Sequence, residues 1–213
     1  MKALITGFDA FGGERVNPSL EAMRRLPAQI GAVVLATQRL PAAFGSSLPL
    51  LFAAIERENP DIVLCVGEAG SRLELSPERV AINVQDARIL DNDGDRPIDV
   101  PVVAGGPAAY FSTLPIKAAV QAMRAAGLPA AVSNSAGTFV CNHVFYGLMH
   151  YAATRGARFR GGFMHVPFLP EQAANHPRSP SMSVATIVRG IEIFVEVAAA
   201  TREDVKVSEG ALA

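Results

Sequence analysis

The chain has 213 residues, of which 50% are hydrophobic and only 18% charged, with a formal net charge of -1. Such a chain can bury a large core as one domain, and its near-neutral balance gives no electrostatic reason to expect a nucleic acid or an anionic membrane as partner. Its two cysteines, Cys65 and Cys141, form no spaced framework, which points to free thiols in a reducing cytoplasm.

The first apolar run, Lys2 to Thr6, breaks at Thr6 and Asp9, too soon for a signal-peptide core, and no later run is long enough to span a bilayer. It reads as a strand ended by Gly7. A loop rich in glycine and phenylalanine follows, then a helix in which Asn17 is the N-cap, Pro18 sits in the first turn, and Leu20, Met23 and Leu26 form the buried face. Ala32 to Ala36 reads as a second strand and Leu48 to Glu58 as a second helix. Asp61 to Gly67 is a nearly continuous apolar strand, the pattern of a central strand covered on both faces. Arg79 to Val84 and Arg88-Ile89 suggest short extended pieces. Asp91 to Pro107, dense in Asp, Gly and Pro, reads as a surface excursion.

Ile116 to Ala126 has helical spacing, Ala130 to Ser133 reads as a short buried strand, and a helix beginning near Cys141 ends at Arg155-Gly156. Gly162 to Pro167 is extended, Ser183 to Ala200 helical, and the tail from about 201 to 213 is polar enough to be loosely held. The alternation predicts an α/β fold: a three-layer α/β/α sandwich around a largely parallel, mixed and twisted sheet, in a single domain spanning residues 1–213.

Cys141 is the residue to explain, because it falls between a strand and a helix start. Unpaired N–H groups and the helix dipole there favour a thiolate, so a lowered thiol pKa is expected. Cys65, inside Ile62-Val-Leu-Cys-Val66, reads as packing. Of the four histidines, His143 and His150 share the helix that Cys141 opens, and His176 lies in a solvated loop. His165, at a strand end held extended by Pro167 and Pro170, can be aimed at a neighbouring strand end or can be a satisfied core histidine. Glu78, entering an apolar run, is the best-placed acid to orient an imidazole, whereas Asp91, Asp93 and Asp95 look solvated. Arg88 supplies a fixed charge for an oxyanion or pairs with Asp86 or Asp91. Phe8 and Phe11, beside flexible glycines, make an apolar wall. Their loop lacks the spacing of a phosphate or dinucleotide loop, and Cys141 with His143 does not make a metal-ligand pair.

Several segments, in order, resemble the pyroglutamyl peptidase I family of cysteine peptidases, also called pyrrolidone carboxyl peptidase. They are Ile5-Thr-Gly-Phe-Asp-Ala-Phe-Gly-Gly13 with Asn17-Pro-Ser19, Pro77-Glu-Arg-Val-Ala-Ile-Asn83, Asp86-Ala-Arg-Ile89, Gly106 to Lys117, Asn134-Ser-Ala-Gly-Thr-Phe-Val-Cys-Asn142, and His165-Val-Pro-Phe-Leu-Pro170. The resemblance implies a triad of Cys141, His165 and Glu78 with Arg88 near the reacting centre. It also implies that Phe8, Phe11, Ile89, Phe139 and Val140 line a pocket for a lactam ring. With it come the expectations of removal of an N-terminal pyroglutamyl residue from peptides, no metal or organic cofactor, and a homodimer or homotetramer. A thiol amidase or acyltransferase for another small acyl group, or a non-catalytic binding protein, are the competing readings. Two stretches depart from the family pattern: Gly67-Glu-Ala-Gly-Ser-Arg72 has Glu68 where a glutamine is usual and Ser71 where a glycine is usual, and Leu90 stands where a proline is usual.

Overall fold

Hydrophobic spacing and capping chemistry set the elements. β1 (Lys2–Phe8) and β4 (Ile62–Glu68) are buried along almost their whole length, as strands covered on both faces must be. Asn17 caps α1 (Pro18–Met23), its Oδ1 accepting from the Ser19 N–H at 3.0 Å. β2 (Gln29–Ile30), β3 (Val33–Leu40) and α2 (Phe44–Glu58) follow. Beyond β4 come β5 (Ser76–Pro77), β6 (Val80–Ile82), β7 (Ala109–Phe111) and α3 (Ile116–Ala125). α4 (Val140–Arg155) is closed by Gly156 at φ 60, a left-handed cap that costs glycine nothing. β8 (Arg160–Val166), α5 (Pro170–Ala173) and α6 (Val184–Ala200) complete the chain. The computed structural model describes residues 1–210.

The main sheet has the order β2-β3-β1-β4-β8-β5. β3, β1, β4 and β8 are mutually parallel, and the short edge strands β2 and β5 are antiparallel. One apolar cluster packs α1, α3 and α6 on one face, through residues such as Met23, Val120 and Phe194. The other packs α2 and α4, through Leu51, Phe145 and Phe163. The chain is thus the expected single-domain α/β sandwich. Because β1 connects outward to β3 and the chain then crosses back to β4, the carboxyl ends of β1, β4 and β8 flank a switch point, where a crevice forms.

Local reading fails where a partner is distant in sequence. α2 starts at Phe44 rather than near Leu48 because Asp91 Oδ2 accepts the Phe44 N–H at 2.7 Å. Asp91 is therefore not solvated: it is 6% exposed and also accepts from the N–H groups of Asp93 and Asp95. Ala130 to Ser133 is not a regular strand but pairs by isolated bridges with the segment through β5, at Leu75 and Glu78. The tail is tied down up to 210. Asp204 accepts from the N–H groups of Lys117 and Ala118 at the start of α3, and Glu209 pairs with Arg124 at 2.7 Å. Residues 211–213 of the expected loose tail lie outside the described residues.

Candidate active site

Cys141 is the second residue of α4, and its N-cap, Phe139, has no side-chain oxygen to satisfy the first turn. The sulfur lies over β4. A Cβ built on Gly67 would fall 2.8 Å from Cys141 Sγ and 2.7 Å from Phe163 Cζ, so only glycine leaves room there. His165 on β8 is the register partner of Gly67, which sends its imidazole out of the same face, one strand over from the sulfur.

Glu78 continues β5, its N–H donating to the Phe163 carbonyl at 2.9 Å. It is fully buried, and its Oε1 lies 2.7 Å from His165 Nδ1. The carboxylate thereby fixes the ring and leaves Nε2 to exchange a proton. Cys141 and His165 line one cavity of about 340 Å³.

Phe11, Ile89 and Phe139 line the same cavity, with the rings of Phe11 and Phe139 5.9 Å apart. Phe8 and Val140, expected beside them, are instead core residues behind the cavity, 2% and 1% exposed. Phe8 packs on Phe163, because the alternation of β1 turns it toward the α4 layer. Arg88 is exposed on the cavity wall and forms no salt bridge with Asp86 or Asp91. Arg72 escaped the sequence reading. Its Nη1 lies 3.0 Å from Glu78 Oε1 and its Nη2 donates to the Ser135 carbonyl at 2.7 Å, linking the acid to the loop before Cys141. The signal available was its place at the exit of an apolar strand, four residues beyond Glu68.

Burial corrects one expectation. Burial, followed by the charges of Glu68 and Glu78, pushes the Cys141 thiol up rather than down, with Arg72 opposing. The helix start faces a buried floor with two carboxylates near it, and there desolvation outweighs the dipole. A thiolate at this place needs a cation formed alongside it, and the adjoining imidazole can supply one by taking the thiol proton. Cys65 is fully buried, which pushes it up to about 12 and makes it inert. Among the described residues no three His, Cys, Asp or Glu side chains gather to hold a metal ion.

The pyroglutamyl peptidase family profile matches residues 1–201. Pyrrolidone-carboxylate peptidase of Erwinia tasmaniensis is 57% identical over 211 residues, covering 99% of this chain and 98% of that protein. Pyrrolidone-carboxylate peptidase 1 of Ralstonia nicotianae is 56% identical over 210 residues, covering 98% of both. The crystal structure of pyroglutamyl peptidase I from Bacillus amyloliquefaciens is 46% identical and superposes with a TM-score of 0.95, covering 97% of this chain and 99% of that one. The match takes in every segment that builds the cavity, from the β1 loop through the α4 start to the end of β8, and the chain belongs to the pyroglutamyl peptidase family.

Proposed function

We propose that this protein hydrolyses the amide that joins an N-terminal pyroglutamyl residue to the rest of a peptide, with Cys141 as nucleophile, His165 as acid and base, and Glu78 as the group that holds the imidazole. One observation carries the assignment: a thiol at an uncapped helix start and an imidazole anchored at 2.7 Å to a buried carboxylate line the same cavity, though they come from separate segments of the chain. Full-length similarity to proteins named for this activity supports it.

In this mechanism His165 takes the Cys141 proton as sulfur attacks the carbonyl carbon. The imidazolium gives that proton to the departing amine, leaving a thioester. Water, deprotonated by the same imidazole, then releases pyroglutamate. The uncapped N–H groups of the first turn of α4 receive the oxyanion, with Arg88 contributing charge from the wall. Phe11, Ile89 and Phe139 suit a neutral lactam, which offers an apolar ring and two hydrogen-bonding groups but no charge to clamp.

The chain works as one domain in this reading, since both apolar clusters share one sheet. A cytoplasmic location fits the two free cysteines, and no helix among the described residues is long and apolar enough to cross a membrane. A homodimer or homotetramer fits the large exposed side chains of Phe111 and Leu73, 67% and 66% accessible. Peptides are its only proposed partners, with no role for nucleic acid or membrane. The test is release of coumarin from pyroglutamyl, alanyl and prolyl amides. Turnover of the first alone is expected, lost in Cys141→Ala and kept in Cys65→Ser. Release from all three, or equal loss in the two variants, overturns the reading.

A further inference from the structure

Glu68 ends β4, one residue beyond the glycine that makes room for the Cys141 sulfur, and it is only 8% exposed. Its Oε2 accepts from Gln172 Nε2 at 2.8 Å. That same nitrogen lies 3.2 Å from Glu14 Oε2 and 3.3 Å from the Val16 carbonyl, while Gln172 Oε1 is held by the Leu169 N–H at 3.0 Å. An amide nitrogen has two hydrogens, and three acceptors converge on it. Two of those acceptors are carboxylates. The other oxygen of Glu14 is 2.6 Å from His176 Nε2. Two carboxylates thus share one amide, an arrangement that favours the protonated form of one of them.

Burial selects Glu68 for that proton, since the Glu14 side chain is 20% exposed and has the imidazole beside it. Burial pushes the Glu68 carboxyl up to about 7; the Gln172 bond opposes this, the Glu14 charge adds to it, and His176 opposes it. The remaining charged or titratable groups on the same cavity are Arg72, Asp86, Arg88, Cys141 and His165. After burial, the Glu68 charge is the first influence against a thiolate at Cys141, ahead of Glu78.

We propose that Glu68 is a positioning residue that sets the alkaline limit of turnover. With its proton, it closes the Gln172–Glu14 wall and spares the Cys141 sulfur a second negative neighbour besides Glu78; without it, the carboxylate repels both Glu14 and the forming thiolate. This rests on Cys141 being the nucleophile.

The test is kcat/KM on a pyroglutamyl-coumarin amide from about pH 5.5 to 9.5 for wild type, Glu68→Gln, Glu14→Gln and Cys141→Ser. Wild type should lose activity as pH rises through neutrality. In Glu68→Gln that limb should move up by about one pH unit or more, leaving it at least about fivefold ahead of wild type near pH 8.5. Glu14→Gln removes the like charge and should move the limb the other way. Superimposable wild-type and Glu68→Gln profiles overturn the proposal. Should Glu68→Gln not fold, an unmoved limb in Glu14→Gln overturns it. Turnover by Cys141→Ser would instead overturn the nucleophile on which the proposal rests.

Discussion

Cys65 and Cys141 show how position decides what a thiol can do. Cys65 is fully buried in β4, and burial holds its proton in place. Cys141 is also pushed up, but it opens to the cavity and has an imidazole on the next strand. In the proposed mechanism its reactivity therefore depends on His165 taking the proton. Alkylation by iodoacetamide near pH 8 should label Cys141 and spare Cys65, and His165→Ala should slow labelling of Cys141 by about tenfold or more. Peptide mass mapping over time reads both, and an unchanged rate in His165→Ala would mean that the sulfur ionises on its own. At this scale the sequence showed that Cys141 stands at a helix start but not its environment. Helical spacing from Val144 places the helix start, whereas the Glu68 and Glu78 carboxylates reach the sulfur only through the tertiary fold. Arg72 was hidden for the same reason, its partners Glu78 and Ser135 being defined by sheet pairing and a remote loop.

At the scale of elements, the site depends on β4 and β8 lying in register with α4 seated on them, and Gly67 is where that seating is closest. An alanine there would bring a methyl group to 2.8 Å from Sγ and 2.7 Å from the Phe163 ring, so ring and sulfur would both have to move. Overpacking of this kind costs about 1–3 kcal/mol, and a displaced nucleophile costs rate in addition. Gly67→Ala should lower kcat by about 10²-fold or more, a larger effect than its modest loss of melting temperature implies. Near-normal kcat would mean that the sulfur does not work from above β4. The long strands and helices were legible because their apolar periodicity is local. β5 and β7 were not, since two or three residues carry no period and their partners lie about 30 to 90 positions away, as in Ser76 with His165 and Ala81 with Tyr110. The start of α2 escaped for a related reason, its cap being Asp91, 47 positions downstream.

For the molecule as a whole, two buried groups tilt stability against pH in opposite directions. Folding raises the Glu68 carboxyl from 4.5 to about 7, so its contribution is complete below about pH 4.5 and is lost as pH rises through about 7. His143, 6% exposed, is lowered by burial from 6.5 to about 4, against smaller pulls from the Phe44 backbone and then the Asp91 charge. Its contribution is present above about pH 6.5 and is lost as pH falls toward about 4. Between those limits the two slopes oppose each other, and the wild type hides both. Glu68→Gln removes one of them. The stability of the variant relative to wild type should therefore climb from about pH 4.5 to 8, by up to about 3 kcal/mol, whatever constant offset the substitution introduces. That is a sizeable part of the ordinary stability of about 5–15 kcal/mol and amounts to several degrees of melting temperature. Denaturant or thermal midpoints of both proteins near pH 4.5, 6 and 8 would measure it. A gap that does not change with pH would mean that Glu68 is ionised in the folded protein throughout, and that its buried place beside Gln172 and Glu14 does not hold a proton.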